Sequence, residues 1–474
     1  MKQKSGCASC RRLRARLRDM QAQLDAFGAT VASLQDKLAR ANKDSRTSSK
    51  PPSSDLVKPP PPPLPEGQAK RSIGGQPGHA RHERLPFTPD QLTAPPQDHM
   101  AEICPSCGHG LLATDAAPRV VQQVDIVAVP LRIEEHRSVA GWCPHCQEVH
   151  YGALPSGVEK GGLVGPRLTT LIAYLKGGCH ASFSVIRKFL RDVVGVTISR
   201  GQLSKVIGKV SQALDGPYQE LLEGLAGQAR LNVDETGHKD RGQRWWTWCF
   251  RASLYTVFKI DPTRSGDVLL EVLGEEFEGV LGCDYFSAYR RYMKECDVVV
   301  QFCLAHLIRD VKYLTTLPDA RDRAYGERLR EALRALFGVI HRRADIPEWA
   351  FEHHLRKARD EVVRQGQQDV PPTRASQVLA GRLAKHGTAY FTFITTPGVE
   401  PTNNLAEQAI RFVVIDRHVT QGTRGPQGRR WCERIWTVIA TCSQQGRSVF
   451  DYLHTAVVAY FEGCASPSLL PAEE

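Results

Sequence analysis

The sequence lacks any apolar run of the roughly 18 residues that a membrane-spanning helix needs. Its first 18 residues are basic but contain no apolar stretch, so we expect no secretory signal. Acidic residues are also in short supply: 51 Asp and Glu face 62 Lys and Arg, which gives a net charge of +11 and a pI near 9.0. We therefore expect a cytoplasmic protein without a membrane partner. The charge favours an anionic partner, although a merely basic protein would look the same.

The length and the cysteine content set two further bounds. At 474 residues the chain is too long for one core, which predicts two to four domains. Fourteen cysteines suit disulfides only in an exported protein, so here they are expected to be thiols or metal ligands.

Residues 1–44 carry a heptad pattern of apolar residues. Two series recur every seven residues, namely Leu17, Leu24, Val31 and Leu38, and Leu13, Met20, Phe27 and Leu34. About four such heptads predict a short coiled coil and hence a homo-oligomer. The alternative is one amphipathic helix packed on its own protein.

Residues 45–98 are rich in proline, glycine and serine, with five prolines in a row at positions 59–63. Such a composition cannot form a core, so we predict a basic linker. Residues 99–152 follow with two C-P-x-C motifs. Four thiolates at this spacing predict a zinc ribbon with a closed, structural Zn²⁺. Its ligands would be Cys104, Cys107, Cys143 and Cys146, with His109 and His145 as less favoured substitutes.

Residues 160–225 have a helical pattern that is broken at Gly177-Gly178 and at Gly195. Three helices are predicted, with Ser199 as the N-cap of the third. A short turn before a third helix is typical of a helix-turn-helix, but an ordinary three-helix packing unit remains equally open. In the first case the third helix would present Arg200, Gln202, Lys205 and Lys209 to DNA.

Residues 226–318 alternate between strand and helix patterns. Three strands precede a helix, a short apolar strand that ends before Asp284, a second helix region and a last strand near Val298. The first strand carries Asp234 and Glu235. This is the element order of the RNase H-like fold, which we predict for the first part of a catalytic core in a multidomain α/β protein.

Two carboxylates at neighbouring strand ends repel one another unless cations neutralise them. A pair of divalent ions would do so and would hold both oxygens of a phosphodiester displacement, and Mg²⁺ or Mn²⁺ suits carboxylate ligands. The candidate third carboxylate is Glu407, on a helix that Thr402 could cap. Its buried stripe would be Leu405, Ala409 and Phe412. Glu235 is expected to point away from Asp234, because side chains alternate along a strand.

Residues 319–396 have three helical patterns and predict a helical insertion in the catalytic core, which would resume over residues 397–464. Residues 465–474 are predicted to be a loose tail. Cys303 and His306 have the spacing of two metal ligands, but packing and hydrogen bonding are the preferred interpretation. Basic residues beside and after Glu407 are candidate DNA contacts, namely Arg411, Arg417, Arg424 and Arg429.

Several uncommon motifs occur in one order along nearly the whole chain. They include Gly74-Gly75-Gln76-Pro77-Gly78-His79, Val233-Asp234-Glu235-Thr236, Asp284-x-x-Ser287-x-Tyr289, Cys303-x-x-His306 and Thr402-Asn403-Asn404-x-Ala406-Glu407. With the heptads and the four cysteines, they make the chain resemble a transposase of the insertion sequence 66 family. The resemblance implies a DDE-type enzyme whose metal-binding triad is Asp234, Asp284 and Glu407. It also implies action on the terminal inverted repeats of its own element, with small accessory proteins as possible partners.

The expected activity is metal-dependent cleavage at transposon ends followed by strand transfer into target DNA. Two alternatives stay open at this point. One is an RNase H-like nuclease that only hydrolyses, and the other is a transposase-derived DNA-binding protein without catalysis.

Overall fold

A computed structural model describes residues 8–41, 88–92, 95, 109, 120, 131–143, 145, 148–151 and 153–470. The chain divides into two units, one spanning residues 59–134 and the other the remainder. In the first unit the described structure includes a 3-10 helix, Pro89–Gln91. Among the described residues, no helix is long and apolar enough to span a membrane.

The N-terminal helix α1 runs over Ala8–Ala41. All eight apolar residues of the heptad series are exposed, from 48% for Val31 to 74% for Phe27. The alternative of a helix packed on its own protein is therefore not seen among the described residues. Burying such a stripe against another helix would be favourable. The coiled coil itself stays a prediction.

The predicted zinc ribbon lies mostly outside the described residues, which include neither Cys104, Cys107 nor Cys146. An antiparallel pair is described next to it, β1 (Ala140–Cys143) and β2 (Glu148–Tyr151). Cys143 is the last residue of β1.

The three helices predicted in residues 160–225 are present as α3 (Pro166–Gly177), α4 (Phe183–Phe189) and α5 (Arg200–Ala213). They are preceded by α2 (Ser156–Gly161) and followed by α6 (Asp215–Glu223), which were not predicted. Ser199 caps α5, since its hydroxyl accepts a hydrogen bond from the Gln202 N–H at 3.1 Å. Arg434 ties α5 to the rest of the protein by donating to the Ser211 carbonyl oxygen at 2.7 Å.

The next region holds a five-stranded mixed sheet. Its elements are β3 (Arg230–Asp240), β4 (Gln243–Arg251), β5 (Thr256–Asp261), α7 (Asp267–Leu273), β6 (Val280–Cys283), α8 (Ser287–Glu295) and β7 (Val300–Phe302). The strand order is β5-β4-β3-β6-β7; β3, β4 and β5 pair antiparallel, and β6 and β7 are added in parallel. The β3–β4 turn has positive φ at both Arg241 and Gly242, which is the backbone of a two-residue hairpin. The prediction of a mixed α/β protein is confirmed.

Helices fill the rest of the chain. They are α9 (Leu304–Leu314), α10 (Ala320–His341), α11 (Glu348–Gln367), α12 (Arg374–His386), α13 (Thr392–Thr395), α14 (Asn404–Thr420), α15 (Pro426–Gln444) and α16 (Val449–Glu462). Helices α10 to α12 coincide with the three patterns from which the insertion was predicted.

The outer strand β5 is protected by α15. The N–H groups of Thr256, Phe258 and Ile260 donate to side chains of α15 at 3.2, 3.1 and 2.7 Å. Their acceptors are Thr441, Thr437 and Glu433, which are spaced by four along the helix. The two-residue period of the strand thus meets one face of the helix, and the exposed edge that invites aggregation is covered.

Two expectations about the C-terminal part are wrong. The buried residues of α14 include Ala406, Ile410 and Val413, whereas Leu405 is 37% exposed, so the predicted stripe was one residue out of phase and Asn403 stands at the N-cap. The predicted loose tail is packed up to Leu469, which is buried and whose carbonyl oxygen accepts from Gln445 at 2.9 Å. Residues 471–474 lie outside the described part.

Candidate active site

Strand β3 presents Asp234 and Glu235 to opposite faces of the sheet. Asn232 and Thr236, which share the face of Asp234, both bond to residues of the α14 region, at 2.9 and 2.8 Å. Glu235 turns the other way and is buried. The expectation that Glu235 points away from Asp234 is confirmed, and alternation along the strand is the reason.

Glu235 has its own cation and donor. The Arg264 Nε donates to Glu235 Oε1 at 2.6 Å, and the Tyr289 hydroxyl donates to Oε2. A buried carboxylate with these partners is satisfied. Tyr289 belongs to the Asp284-x-x-Ser287-x-Tyr289 motif. Through Tyr289 this motif contacts Glu235 of β3, on the face of the sheet opposite to Asp234.

Asp284 follows the last residue of β6 and lies level with Asp234. Strands β3 and β6 pair in parallel, with Asn232 opposite Gly282. Asp234 and Asp284 each come two residues later in the chain than this pair. The Phe286 N–H donates to Asp284 Oδ1 at 2.8 Å and fixes the carboxylate at the turn into α8. Gly282 must remain small, because a Cβ there would lie 2.6 Å from the Asn232 amide nitrogen.

Glu407 lies in the first turn of α14, and the start of this helix is fixed to β3 by Asn403. The Asn403 side chain accepts from Asn232 Nδ2 at 2.9 Å and donates to the Val233 carbonyl oxygen at 2.8 Å. Its backbone N–H donates to the Cys303 sulfur at 3.1 Å. Asn403 is 1% exposed, so these bonds set the position of α14 beside Asp234 in a dry environment.

The carboxylates around Asp234 act on it electrostatically. Burial, followed by the charges of Glu235, Asp284 and Glu407, raises the pKa of Asp234 well above its ordinary value. Burial and the charge of Glu235 raise the pKa of Asp284 to about 7. Neither aspartate has an ion pair within 4.0 Å in the described structure, whereas Glu235 pairs with Arg264 and Glu407 lies within 4.0 Å of both His306 and Arg309. A donor set of oxygens with excess negative charge fits divalent cations such as Mg²⁺ or Mn²⁺.

In this structure the Glu407 carboxylate is turned toward α9. Its Oε2 accepts from Arg309 at 3.4 Å, and its Oε1 lies 3.6 Å from His306 Nδ1. Across the described residues, one group of three potential ligand atoms lies within 4.8 Å of one another: Cys303, His306 and Glu407. The sequence pointed to Cys303 and His306 but not to their approach to Glu407, which is about 100 residues away in the chain.

The candidate DNA contacts on α5 differ in exposure and in their contacts. Arg200 donates to the Ser184 hydroxyl oxygen at 2.6 Å. On α5, Arg200 and Lys205 are exposed and Gln202 is half-buried. Lys209 donates to the carbonyl oxygen of Lys160, and its Nζ lies 5.9 Å from the centre of the Phe461 ring. This internal contact was not expected.

The basic residues around α14 also differ in exposure, and Arg424 donates to the Gln421 and Thr423 carbonyl oxygens at 3.2 Å. Arg411 and Arg424 are exposed. Arg417 donates to Thr236 at 2.8 Å, and burial lowers its pKa. Arg429 pairs with the buried Asp240 at 2.5 Å. The sequence could not reveal these contacts, because the partners lie more than 180 residues apart.

A cavity of about 420 Å³ lies beyond Asp234, at the hairpin end of β3. Three of its lining residues are basic, namely Lys239, Arg244 and Arg417. None of the three acids lines it, so it is separate from the carboxylate site. Sequence reasoning missed this cavity, because Lys239 and Arg244 lie in a strand pattern.

Comparison with known protein families supports the resemblance that was drawn from the motifs. The family described as "Transposase IS66 family" matches residues 161–430, more than half of the chain. A second family, described as one of unknown function (DUF6444), matches residues 3–85. No curated protein matches the chain.

Proposed function

The chain belongs to the IS66 family of transposases, and from this premise we propose that it cuts DNA at transposon ends and joins them to target DNA. Asp234, Asp284 and Glu407 are the proposed metal-binding triad. The terminal inverted repeats of its own element and the target DNA are the proposed substrates.

The observation that carries this proposal is the pair of strand-end aspartates. Two part-buried carboxylates with raised pKa values and no ion pair among the described residues require cations to be fully ionised near neutral pH. The elements follow along the chain in the order from which an RNase H-like core was predicted, and their strands form one mixed sheet, which supports the proposal. The buried Glu235, by contrast, has the half-buried Arg264 as its ion-pair partner.

The side chains have distinct tasks in the proposed reaction. Two divalent ions, when bound, supply Lewis acidity to the phosphodiester and activate the attacking water or 3′-hydroxyl. Asp234 and Asp284 hold them from the sheet and Glu407 from α14. Arg264 and Tyr289 hold Glu235 on the opposite face, so that Glu235 does not compete for the ions. Cleavage frees a 3′-hydroxyl, and the same site then directs that hydroxyl against target DNA.

Strand transfer with end-containing DNA and Mg²⁺ tests the proposal. Joined products support it, cuts without joining support a nuclease, and binding without either supports a non-catalytic DNA-binding protein. Asp234→Asn, Asp284→Asn and Glu407→Gln should each lower cleavage by at least a hundredfold, because each removes a ligand from the same ions. Exposed Asp297→Asn is the matched control and should cut normally. Full cleavage by all three triad variants would refute the assignment.

Other regions are proposed to deliver DNA to this site. The four-cysteine module holds a structural Zn²⁺, and metal analysis that finds no zinc would exclude it. Helix α1 is proposed to form a homo-oligomeric coiled coil, supported by its exposed heptads. The exposed Arg200, Lys205, Arg411 and Arg424 are the best-placed of the proposed DNA contacts. The basic cavity at the hairpin end of β3 extends this surface.

A further inference from the structure

Two buried polar atoms beside the carboxylate site face one another without a hydrogen bond. They are His306 Nδ1 and Glu407 Oε1, which lie 3.6 Å apart. His306 is only 8% exposed. Unpaired buried polar atoms are costly and uncommon in native proteins, so this pair calls for a functional explanation.

Arg309 determines which nitrogen of His306 carries the hydrogen. Its Nη1 lies 3.2 Å from His306 Nε2, and a guanidinium only donates, so Nε2 must accept. A neutral imidazole then carries its hydrogen on Nδ1, which faces Glu407 Oε1.

Glu407 is therefore approached by two donors from one helix. Arg309 Nη2 lies 3.4 Å from Oε2, and the Nδ1–H of His306 points at Oε1. A carboxylate has about four lone-pair positions, so two remain for cations. We propose that His306 is a positioning residue that fixes the orientation of the Glu407 carboxylate toward the cations held by Asp234 and Asp284. This inference rests on the proposed function of the three acids.

The same side chains could instead bind a thiophilic metal, since Cys303, His306 and Glu407 offer three ligand atoms within 4.8 Å. Arg309 argues against that reading. Ligation through Nδ1 would move the imidazole hydrogen to Nε2, where it would oppose the guanidinium N–H, and a dication would lie beside a fixed positive charge. Cys303 is already engaged, because its sulfur accepts from the Asn403 N–H at 3.1 Å.

The test uses the full-length chain and two readouts, Mn²⁺ binding and Mg²⁺-dependent cleavage of end-containing DNA. His306→Leu removes the donor, and His306→Asn restores an N–H near the position of Nδ1. Loss of an outer hydrogen-bond partner weakens metal binding by about 10–100-fold, which is the expected effect of the leucine. Asparagine should restore affinity to within about threefold. His238→Leu removes another buried imidazole with hydrogen-bond partners, well along β3 from the acids, and should leave Mn²⁺ binding unchanged.

The outcomes separate this inference from the proposed function. Weaker Mn²⁺ binding by His306→Leu with restoration by asparagine supports positioning, even if the wild-type protein fails to cut DNA and the proposed function falls. Unchanged Mn²⁺ binding and an unchanged Mg²⁺ requirement in the leucine variant overturn it. Equal losses in the leucine and asparagine variants also overturn it, because the donor would then be irrelevant. So does a bound zinc that disappears on substitution of Cys303 or His306.

Discussion

Replacing Asp284 by asparagine should stabilise the metal-free protein while removing its activity. The ordinary pKa of an aspartate, 3.8, is raised to about 7 for Asp284 by burial and by Glu235. Between about pH 4 and 7 the folded state keeps a proton that the unfolded state has released. Stability therefore falls as the pH rises through this window, and the full loss is present above pH 7.

The size of the effect follows from the same pKa. At about 1.4 kcal/mol for each unit of pKa, the upper limit above pH 7 is about 4 kcal/mol. Asp284 is only part-buried, so water screens some of this cost, and about 1–2 kcal/mol is the expected gain. Asparagine has nearly the same shape and can still accept the Phe286 N–H bond, so little else changes.

The assay is denaturant unfolding of wild type and Asp284→Asn in a chelator and in Mg²⁺, between pH 4 and 8. In the chelator, the variant should be more stable at pH 8 and lose this advantage toward pH 4. In Mg²⁺, the wild type should gain stability by mass action, and the variant should gain much less. Exposed Asp297→Asn should match the wild type throughout. A variant that is less stable than wild type at pH 8 in the chelator would refute the electrostatic reasoning.

Three further predictions concern the surroundings of the site. Asn403→Ala should lower cleavage at least tenfold and destabilise the protein by about 1–3 kcal/mol, because buried partners lose their bonds; cleavage assays and denaturant unfolding check it. Burial lowers the pKa of His238 to about 4, so stability should be lost as the pH falls from 6.5 to 4; His238→Gln should flatten that part of the unfolding profile. Leu24→Glu should dissociate the predicted coiled coil, as measured by light scattering, and equal masses for variant and wild type would contradict it.

The elements of the sheet could be predicted because their signals are local. Leu231 and Val233 alternate with polar residues and proved to be buried, and the short run before Asp284 became β6. Because β3 and β6 are adjacent and parallel, Asp234 and Asp284 come to lie at the same edge of the sheet. The order of elements was therefore readable along the chain.

What could not be predicted depends on distant pairs. The phase of α14 was wrong by one residue, because its N-terminus is set by Asn232 and Cys303 rather than by Thr402. Arg417 looks like any surface arginine in the sequence, yet it is bound to Thr236 from 181 residues away. The packed end of the chain depends in the same way on Gln445 and Leu469.

The two faces of β3 show how this sheet keeps an unstable site inside a stable protein. Glu235 is neutralised by Arg264 and helps to hold the sheet against α8 through Tyr289. The charge of Glu235 nevertheless raises the pKa of both Asp234 and Asp284. A charged Glu235 on one face therefore makes it harder for the two aspartates to ionise without a cation. Removing the Tyr289 hydroxyl or Arg264 should therefore alter metal affinity without touching a metal ligand. On the proposed function, the charges on both faces of β3, and not only those of the three acids, would set how strongly cations bind.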